Sequence, residues 1–196
     1  YLPYIALGLI FWNYINSSIC ESCDAFVSSE GLILQTNKPL FIYVARVLLR
    51  NIIILLHSLI LIPVIFIVFK IIPSVNILLV IFSFVLVLLN LAWISIFLAI
   101  FSTRFRDFGN IVQNLMQVCF FITPIFWDKK LLNSNIGELV ININPFYHFL
   151  NLLRTPFLGG IPDFYSWIYC LILLFFGFVL SLYFFGTYYK KIAYWL

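Results

Sequence analysis

Cysteine is the residue type in this sequence whose spacing most resembles that of a chemical site. Cys20 and Cys23 form a C-x-x-C pair, a spacing found in zinc and redox sites that have a second pair or histidines nearby. This pair stands at a predicted helix end without either partner, while Cys119 and Cys170 lie within apolar runs. We therefore interpret all four cysteines as small apolar residues and predict no metal site.

Histidine is the other residue type that could perform chemistry, and the chain has two. His57 lies in an apolar run without an acidic neighbour, which favours packing between helices over catalysis. His148 could act with Asp128 or Asp163 in a membrane-embedded glycosyl- or acyltransferase, although the spacing is wide. The sequence contains no carboxylate pair, His/Cys cluster, glycine-rich phosphate loop or Walker sequence. Any ATP chemistry must therefore belong to another chain.

The elements that carry these residues must suit a membrane, because the chain is too apolar for water. Of its 196 residues, 64% are hydrophobic and 9% are charged, whereas soluble domains carry roughly a quarter charged residues. Lipid must therefore cover most of the surface. The formal net charge of +4 is spread along the chain and forms no basic stripe, so the sequence does not support nucleic-acid binding.

Long uncharged runs predict an all-α bundle of five transmembrane helices within a single domain over residues 1–196. A helix needs about 20 apolar residues to cross a bilayer. A shorter apolar stretch within 128–163 contains Asn144, Pro145 and His148, and it predicts a re-entrant helix on the extracytoplasmic side. The predicted spans are residues 1–27, 48–69, 75–102, 108–127 and 164–189.

Lysines and arginines predict the orientation of these spans. Under the positive-inside rule the richer side faces the cytoplasm, which places the C-terminus inside the cell and Tyr1 outside. Because the only methionine is Met116, we expect the chain to be part of a longer protein with at least one more span upstream. The basic residues on the predicted cytoplasmic side are Lys38, Arg46, Arg50, Arg104, Arg106, Lys190 and Lys191.

Two stripes of polar side chains occur at helical spacing within the first and fourth predicted spans. Amides that face hydrocarbon are costly, so both stripes should contact protein or water. Two interpretations remain open: the stripes join helices to one another, or they line a hydrophilic conduit. The stripes are Asn13, Asn16, Ser17, Cys20 and Asp24 in the first span, and Asn110, Gln113, Asn114 and Gln117 in the fourth.

The segment between the first two spans, residues 28–46, is predicted to be cytoplasmic and partly helical. It contains Glu30-Gly31, then Lys38-Pro39, and it leads into an amphipathic stretch. Such a segment could dock a soluble partner, or it could lie on the membrane surface through its apolar side chains. The residues alone do not decide between these two interpretations.

Five short motifs follow one another at the boundaries of these segments. They are Glu30-Gly31-Leu32-Ile33 with Gln35-Thr36-Asn37 and Pro39-Leu40; Phe105-Arg106-Asp107; Thr123-Pro124-Ile125 with Trp127; Asn144-Pro145-Phe146-Tyr147-His148; and Ile192-Ala193-Tyr194-Trp195-Leu196. Together, and in this order, they resemble the permease subunits of type-2 ATP-binding-cassette exporters, specifically the O-antigen, capsule and teichoic-acid group. The resemblance extends over the whole sequence.

The resemblance implies a six-span permease that pairs with a second copy of itself and with two ATPase subunits. Those subunits would bind ATP and Mg²⁺, so this chain would be a transport subunit without a cofactor of its own and not an enzyme. The implied cargo is lipid-linked polysaccharide, such as the O-antigen of lipopolysaccharide, capsule or teichoic acid, exported across the bacterial inner membrane. Closure of the ATPases on ATP would push on segment 28–46 and separate the spans.

The resemblance also implies roles for particular residues. In this group aromatic side chains line the path, and a flat ring can contact the C–H groups of many different sugars. Together with the polar stripes, this gives the path candidates Trp12, Asn13, Tyr14, Gln113, Gln117, Phe120, Phe121 and Tyr147. The implied ATPase-coupling residues are Glu30, Gly31, Leu32, Gln35, Thr36, Lys38 and Pro39. The implied outer gate, within 128–163, contains Asn144, Pro145, Tyr147 and His148.

Three other functions remain open. A type-2 exporter of drugs or lipids would have the same architecture, but it predicts a seam of aliphatic side chains with Gln113 and Gln117 buried in packing. A passive channel would need no coupling segment and would bind no ATPase. The membrane-embedded transferase would require a cluster of titratable groups around His148.

Overall fold

The computed structural model of the chain describes residues 1–36, 38–70, 75–127 and 135–196. Across these residues the secondary structure is helical, with short 3-10 turns and no strand, which confirms the predicted all-α class. Asp128 and the first part of the predicted outer gate region lie outside the described residues. The helices are α1 Leu2–Cys23, α2 Glu30–Gln35, α3 Phe41–Leu59, α4 Leu61–Phe69, α5 Leu79–Arg104, α6 Phe108–Ile122, α7 Asn135–Ile143, α8 Pro145–Arg154 and α9 Phe164–Trp195.

Three helical stretches are long and apolar enough to cross a membrane, so the chain is a multi-pass membrane protein. They are Phe41–Phe69, Val75–Arg104 and Phe164–Tyr189. The helix Phe108–Ile122 is apolar but shorter. α1 has 22 residues and is interrupted by polar side chains, so the count of five spans stays a prediction.

A proline explains why the first of these stretches is divided into α3 and α4. Pro63 has no N–H to donate to the carbonyl of Leu59, and its ring crowds the preceding turn. The helix is interrupted at Ile60 as a result. α4 then ends at Lys70, whose φ of 52° lies in the left-handed region where helices commonly terminate.

α1 occupies the centre of the bundle. Its residues Leu7, Phe11, Ile15 and Ile19 recur every four positions and are at most 3% exposed, so they form one buried stripe. The helix contacts α3, α5, α6 and α8. A different face of α1 carries the polar stripe, which remains at least partly accessible at Asn13, Asn16, Ser17, Cys20 and Asp24.

Two close contacts join α5 to α9, the most extensively packed helix pair. Asn90 is fully buried in α5, and its Nδ2 donates to the carbonyl oxygens of Leu86 and Cys170 at 2.9 and 3.1 Å. Gly177 of α9 lies against the indole of Trp93, so close that a Cβ built there would be 2.1 Å from Cε2. The absence of a side chain at Gly177 therefore sets the spacing of the two helices.

Replacing Gly177 with alanine is expected to destabilise this pair, because Trp93 and α9 would have to move apart. Overpacking of this kind typically costs about 1–3 kcal/mol. The midpoint of thermal unfolding in detergent measures the effect. Gly186→Ala is the matched control, since no atom lies within 4 Å of a Cβ built at that position. Equal midpoints for the two variants would contradict the close packing.

Candidate functional site

An open groove of about 560 Å³ lies between α1 and α6. On each helix its lining positions include adjacent residues and recur at intervals of three and four residues, the pattern that places side chains on one helix face. The groove is therefore formed by one face of α1 opposite one face of α6. Its lining residues are Leu9, Trp12, Asn13, Asn16, Cys20, Gln113, Met116, Gln117, Phe120 and Phe121.

Amide side chains form the polar part of this groove. Asn13, Gln113 and Gln117 are exposed, and Asn16 is half-buried. The two polar stripes thus meet in space, although they are far apart in the sequence. Some members of the stripes do not line the groove, namely Ser17, Asp24, Asn110 and Asn114.

Aromatic rings form the apolar wall of the groove. The centroid of the Trp12 indole lies 5.5 Å from that of Phe120 and 5.7 Å from that of Phe146, and Phe121 lies 5.4 Å from Phe120. These distances are typical of tilted and edge-to-face ring packing. Trp12 is 4% exposed and Phe121 is 68% exposed. The apolar wall therefore extends from the buried ring of Trp12 to the exposed ring of Phe121.

Two of the path candidates lie elsewhere. Tyr14 is on another face of α1, where its ring packs 5.7 Å from that of Phe84. Tyr147 belongs to α8, is 8% exposed, and lies 5.1 Å from the ring of His148. The candidates that the structure brings together in the groove are Trp12, Asn13, Gln113, Gln117, Phe120 and Phe121.

The gate segment contains an Asn-Pro pair that starts α8. Asn144 Oδ1 accepts a hydrogen bond from the backbone N–H of Phe146 at 2.9 Å and so caps the helix. Pro145 occupies the start of the helix, where no N–H is needed. Asn144 Nδ2 also donates to Oγ1 of Thr123 at 2.8 Å. The pair therefore starts α8 and attaches it to the end of α6.

His148 is fully buried and joins α7, α8 and α9. Its Nε2 lies 2.9 Å from the carbonyl oxygen of Asn142, and its Nδ1 lies 2.9 Å from Oγ of Ser166. Because a carbonyl only accepts, we assign the proton to Nε2, and Nδ1 then accepts from Ser166. Ser166 Oγ in turn accepts from Asn151 Nδ2 at 2.9 Å. In this geometry the histidine links helices.

The surroundings of His148 bear on the transferase alternative. Asp163 accepts a hydrogen bond from Asn151 at 3.2 Å, and Asn151 and Ser166 connect it to the imidazole. Within the described ranges, no three His, Cys, Asp or Glu side chains come together as a metal-binding group would require. Asp128 lies outside those ranges. The transferase alternative therefore gains no support from the described residues.

Arg154 is a functional candidate that the sequence pattern did not single out. It is 5% exposed, and its Nη1 and Nη2 donate to the Pro124 carbonyl at 3.2 Å and to the Tyr4 hydroxyl at 2.7 Å. The guanidinium also lies 3.6 Å from the centroid of the Tyr4 ring. Gly8 leaves room for it, since an added Cβ would be 3.3 Å from Nη1. One side chain of α8 thus holds α1 and the segment after α6.

Residues 28–46, the predicted coupling segment, present apolar side chains outward from α2. Leu32 and Leu34 are 48% and 59% exposed. Thr36 closes the helix by donating from Oγ1 to the Leu32 carbonyl at 2.7 Å, and Asn37 lies outside the described residues. An exposed apolar edge of this kind suits contact with another protein or with the membrane surface, so both interpretations of the segment stay open. Of the other coupling candidates, Gly31, Gln35, Lys38 and Pro39 are exposed and Glu30 is half-buried.

Polar contacts beside this segment join α1 to α3. Glu21 Oε2 accepts from Arg50 Nη2 at 2.6 Å and from Asn51 Nδ2 at 2.5 Å. Asn51 is 1% exposed, and a buried polar group is costly to leave without its partner. A displacement of α3 is therefore expected to move α1 with it.

Comparison with known families gives one finding for this chain. The family model described as ABC-2 type transporter matches residues 2–158. The matched range includes both walls of the groove, the coupling segment and α8. No curated protein matches the chain.

Proposed function

The chain belongs to the ABC-2 type transporter family, and from this premise we propose that it is the permease of a bacterial polysaccharide exporter. Subunits of this family generally work with ATP-binding cassette ATPases carried on separate chains. The proposed cargo is lipid-linked polysaccharide, and the proposed complex contains two copies of this chain and two ATPases. It lies in the bacterial inner membrane, with the C-terminus of this chain in the cytoplasm.

The observation that carries this proposal is the set of exposed amides in the α1/α6 groove. Asn13, Gln113 and Gln117 lie on α1 and α6, which we take as the first and fourth spans of the predicted bundle; within a bilayer an amide without a hydrogen-bond partner would cost free energy. Lipid cannot supply those partners, so protein or water must cover this face. A second copy placed here by two-fold symmetry would bring the same groove opposite itself. The two grooves together would enclose a hydrated path.

The lining of the groove favours a sugar polymer over a drug or lipid. An apolar cargo predicts an aliphatic seam with Gln113 and Gln117 buried in packing, whereas within one chain no packing covers either glutamine. Beside them stand the rings of Trp12, Phe120 and Phe121. Amides pair with hydroxyl groups, and ring faces contact sugar C–H groups without fixing one hydrogen-bond pattern. A repeating polymer can therefore slide past this surface.

The coupling segment supplies the proposed connection to ATP. Leu32 and Leu34 form an exposed edge on α2 that an ATPase subunit would contact. The Glu21–Arg50 ion pair, at 2.6 Å, would pass a displacement from α3 to α1, and α1 forms one wall of the groove. ATP can drive such a change only by binding the two states with different affinity.

A thiol-labelling experiment tests whether the groove is hydrated. In a full-length variant whose native cysteines are replaced, Gln117→Cys is expected to react with a membrane-impermeant reagent, because a thiolate forms only where water reaches it. Val118→Cys is the matched control: Val118 is 55% exposed but does not line the groove, and it should stay unlabelled in lipid. Complete protection at position 117 in every nucleotide state would contradict the hydrated path.

A further inference from the structure

A group of cations and aromatic rings lies where α5 and α9 end together. Arg104 is the last residue of α5, and its guanidinium carbon lies 5.3 Å from the ring centroid of Phe105 and 5.3 Å from that of Trp195. Lys191 Nζ lies 5.6 Å from the ring centroid of Tyr188. These distances are within the range of cation–π attraction. The aromatic rings therefore hold two positive charges in place at one end of this helix pair.

A cleft of about 50 Å³ opens beside Arg104. A water molecule occupies roughly 10–15 Å³ on such a measure, so the cleft has room for a few waters or a group the size of a phosphate. A sugar or a nucleotide base would not fit. The lining residues are Ile100, Phe101, Arg104, Phe105, Phe184, Tyr188 and Trp195.

Arg104 gives this cleft its positive charge, and the other walls are apolar or aromatic. Lys191 does not line the cleft, but it lies against the ring of Tyr188, which does. Among the residues that the structure describes, the only ion pair is the one between Arg50 and Glu21, so no described carboxylate neutralises Arg104 or Lys191. Both cations are exposed. A ligand that suits such a place has a small anionic group joined to an apolar body. Within a membrane, that description fits a phospholipid.

We propose that Arg104 and Lys191 bind the phosphate of an anionic phospholipid in the leaflet that surrounds the ends of α5 and α9. The headgroup would lie at the cleft, and the glycerol and upper acyl chain would contact Phe184 and Tyr188. This site shares no lining residue with the α1/α6 groove. It rests on the proposed orientation, in which this end faces the cytoplasmic leaflet, and it does not depend on the cargo.

Native mass spectrometry of the purified full-length transporter complex tests the site. The complex is prepared in phosphatidylglycerol or in phosphatidylcholine, and the retained lipids are counted. Wild type is expected to retain phosphatidylglycerol in preference to phosphatidylcholine. Arg104→Gln should weaken that retention about fivefold, the usual effect of one basic residue near an anionic surface. Lys191→Gln is a second variant with the same expected direction, should Arg104→Gln fail to assemble.

Arg46→Gln is the matched control for charge. Arg46 is exposed, and it also lies near an aromatic ring, 5.3 Å from the centroid of Tyr43, but it is not part of the cleft. An equal loss of lipid in Arg46→Gln and Arg104→Gln would overturn the site, because general surface charge would then explain retention. Equal retention of phosphatidylglycerol and phosphatidylcholine, together with binding of inorganic phosphate to the lipid-free complex that Arg104→Gln abolishes, would also overturn it, since free phosphate would then be the ligand. Lipid retention is measured without transport, so its failure would leave the proposed function untouched.

Discussion

Replacing Arg154 with methionine is expected to lower the free energy of unfolding by about 3–6 kcal/mol. Hydrogen bonds from a charged group contribute about 1.5–3 kcal/mol each, and Arg154 makes them to the Pro124 carbonyl and the Tyr4 hydroxyl. Methionine fills similar volume but donates nothing. The thermal unfolding midpoint in detergent measures the loss, and faster proteolysis of the segment after α6 should accompany it.

Arg154→Lys separates the geometry of the guanidinium from its charge. Lysine keeps the positive charge, but it cannot reproduce the planar fork that reaches two acceptors while lying flat on a ring. At 3.6 Å from the centroid of Tyr4, that stacking is close. We therefore expect Arg154→Lys to be intermediate between wild type and Arg154→Met. An unfolding midpoint for Arg154→Met equal to that of wild type would contradict the role assigned to this residue.

Replacing both Gln113 and Gln117 with leucine is expected to reduce polymer export by about tenfold to thirtyfold. Each amide that binds a sugar hydroxyl contributes about 1 kcal/mol, and two such losses correspond to a change of this size. Assembly with the ATPase should be retained, because both side chains are exposed in this chain. Leucine would also remove both amides of the α6 wall and leave Asn13 and Asn16 of α1 as the polar part of the groove.

Asn114→Leu is the control for this double variant. Asn114 is an exposed amide on the same helix, and it does not line the groove. The change from an amide to leucine is therefore made on a different face of α6. Export close to the wild-type level in Asn114→Leu is expected, and an equal loss in both variants would show that the groove has no special part in export.

Much of the fold could be predicted because a bilayer restricts the segments that cross it to very few secondary structures. The lack of charge over long runs predicts helices with internally satisfied backbones. The two polar stripes could be recognised in the sequence because their amides interrupt otherwise apolar runs. The sequence did not indicate that Gln113 and Asn13 lie in one groove, because contact between helices depends on three-dimensional packing.

Other features of the structure depend on contacts between residues that are far apart in the sequence, and no local sequence pattern predicts such contacts. Gly177 matters because Trp93 lies against it, and the chain has eight glycines that look alike in sequence. No local pattern marks Arg154, because its burial against Tyr4 follows from the approach of α1 to α8. Tyr14 shows the converse case: an aromatic residue beside Asn13 faces another side of α1, where it packs on Phe84.

The most direct measurement is an assay of surface polysaccharide in the native organism after deletion of the full-length gene. The deleted gene is then supplied as wild type, as Gln113→Leu/Gln117→Leu, or as Asn114→Leu. We predict loss of surface polymer on deletion, with lipid-linked polymer accumulating inside the cell, and recovery with wild type and Asn114→Leu but not with the double variant. Normal surface polysaccharide after deletion, together with altered efflux of drugs or lipids, would contradict the account.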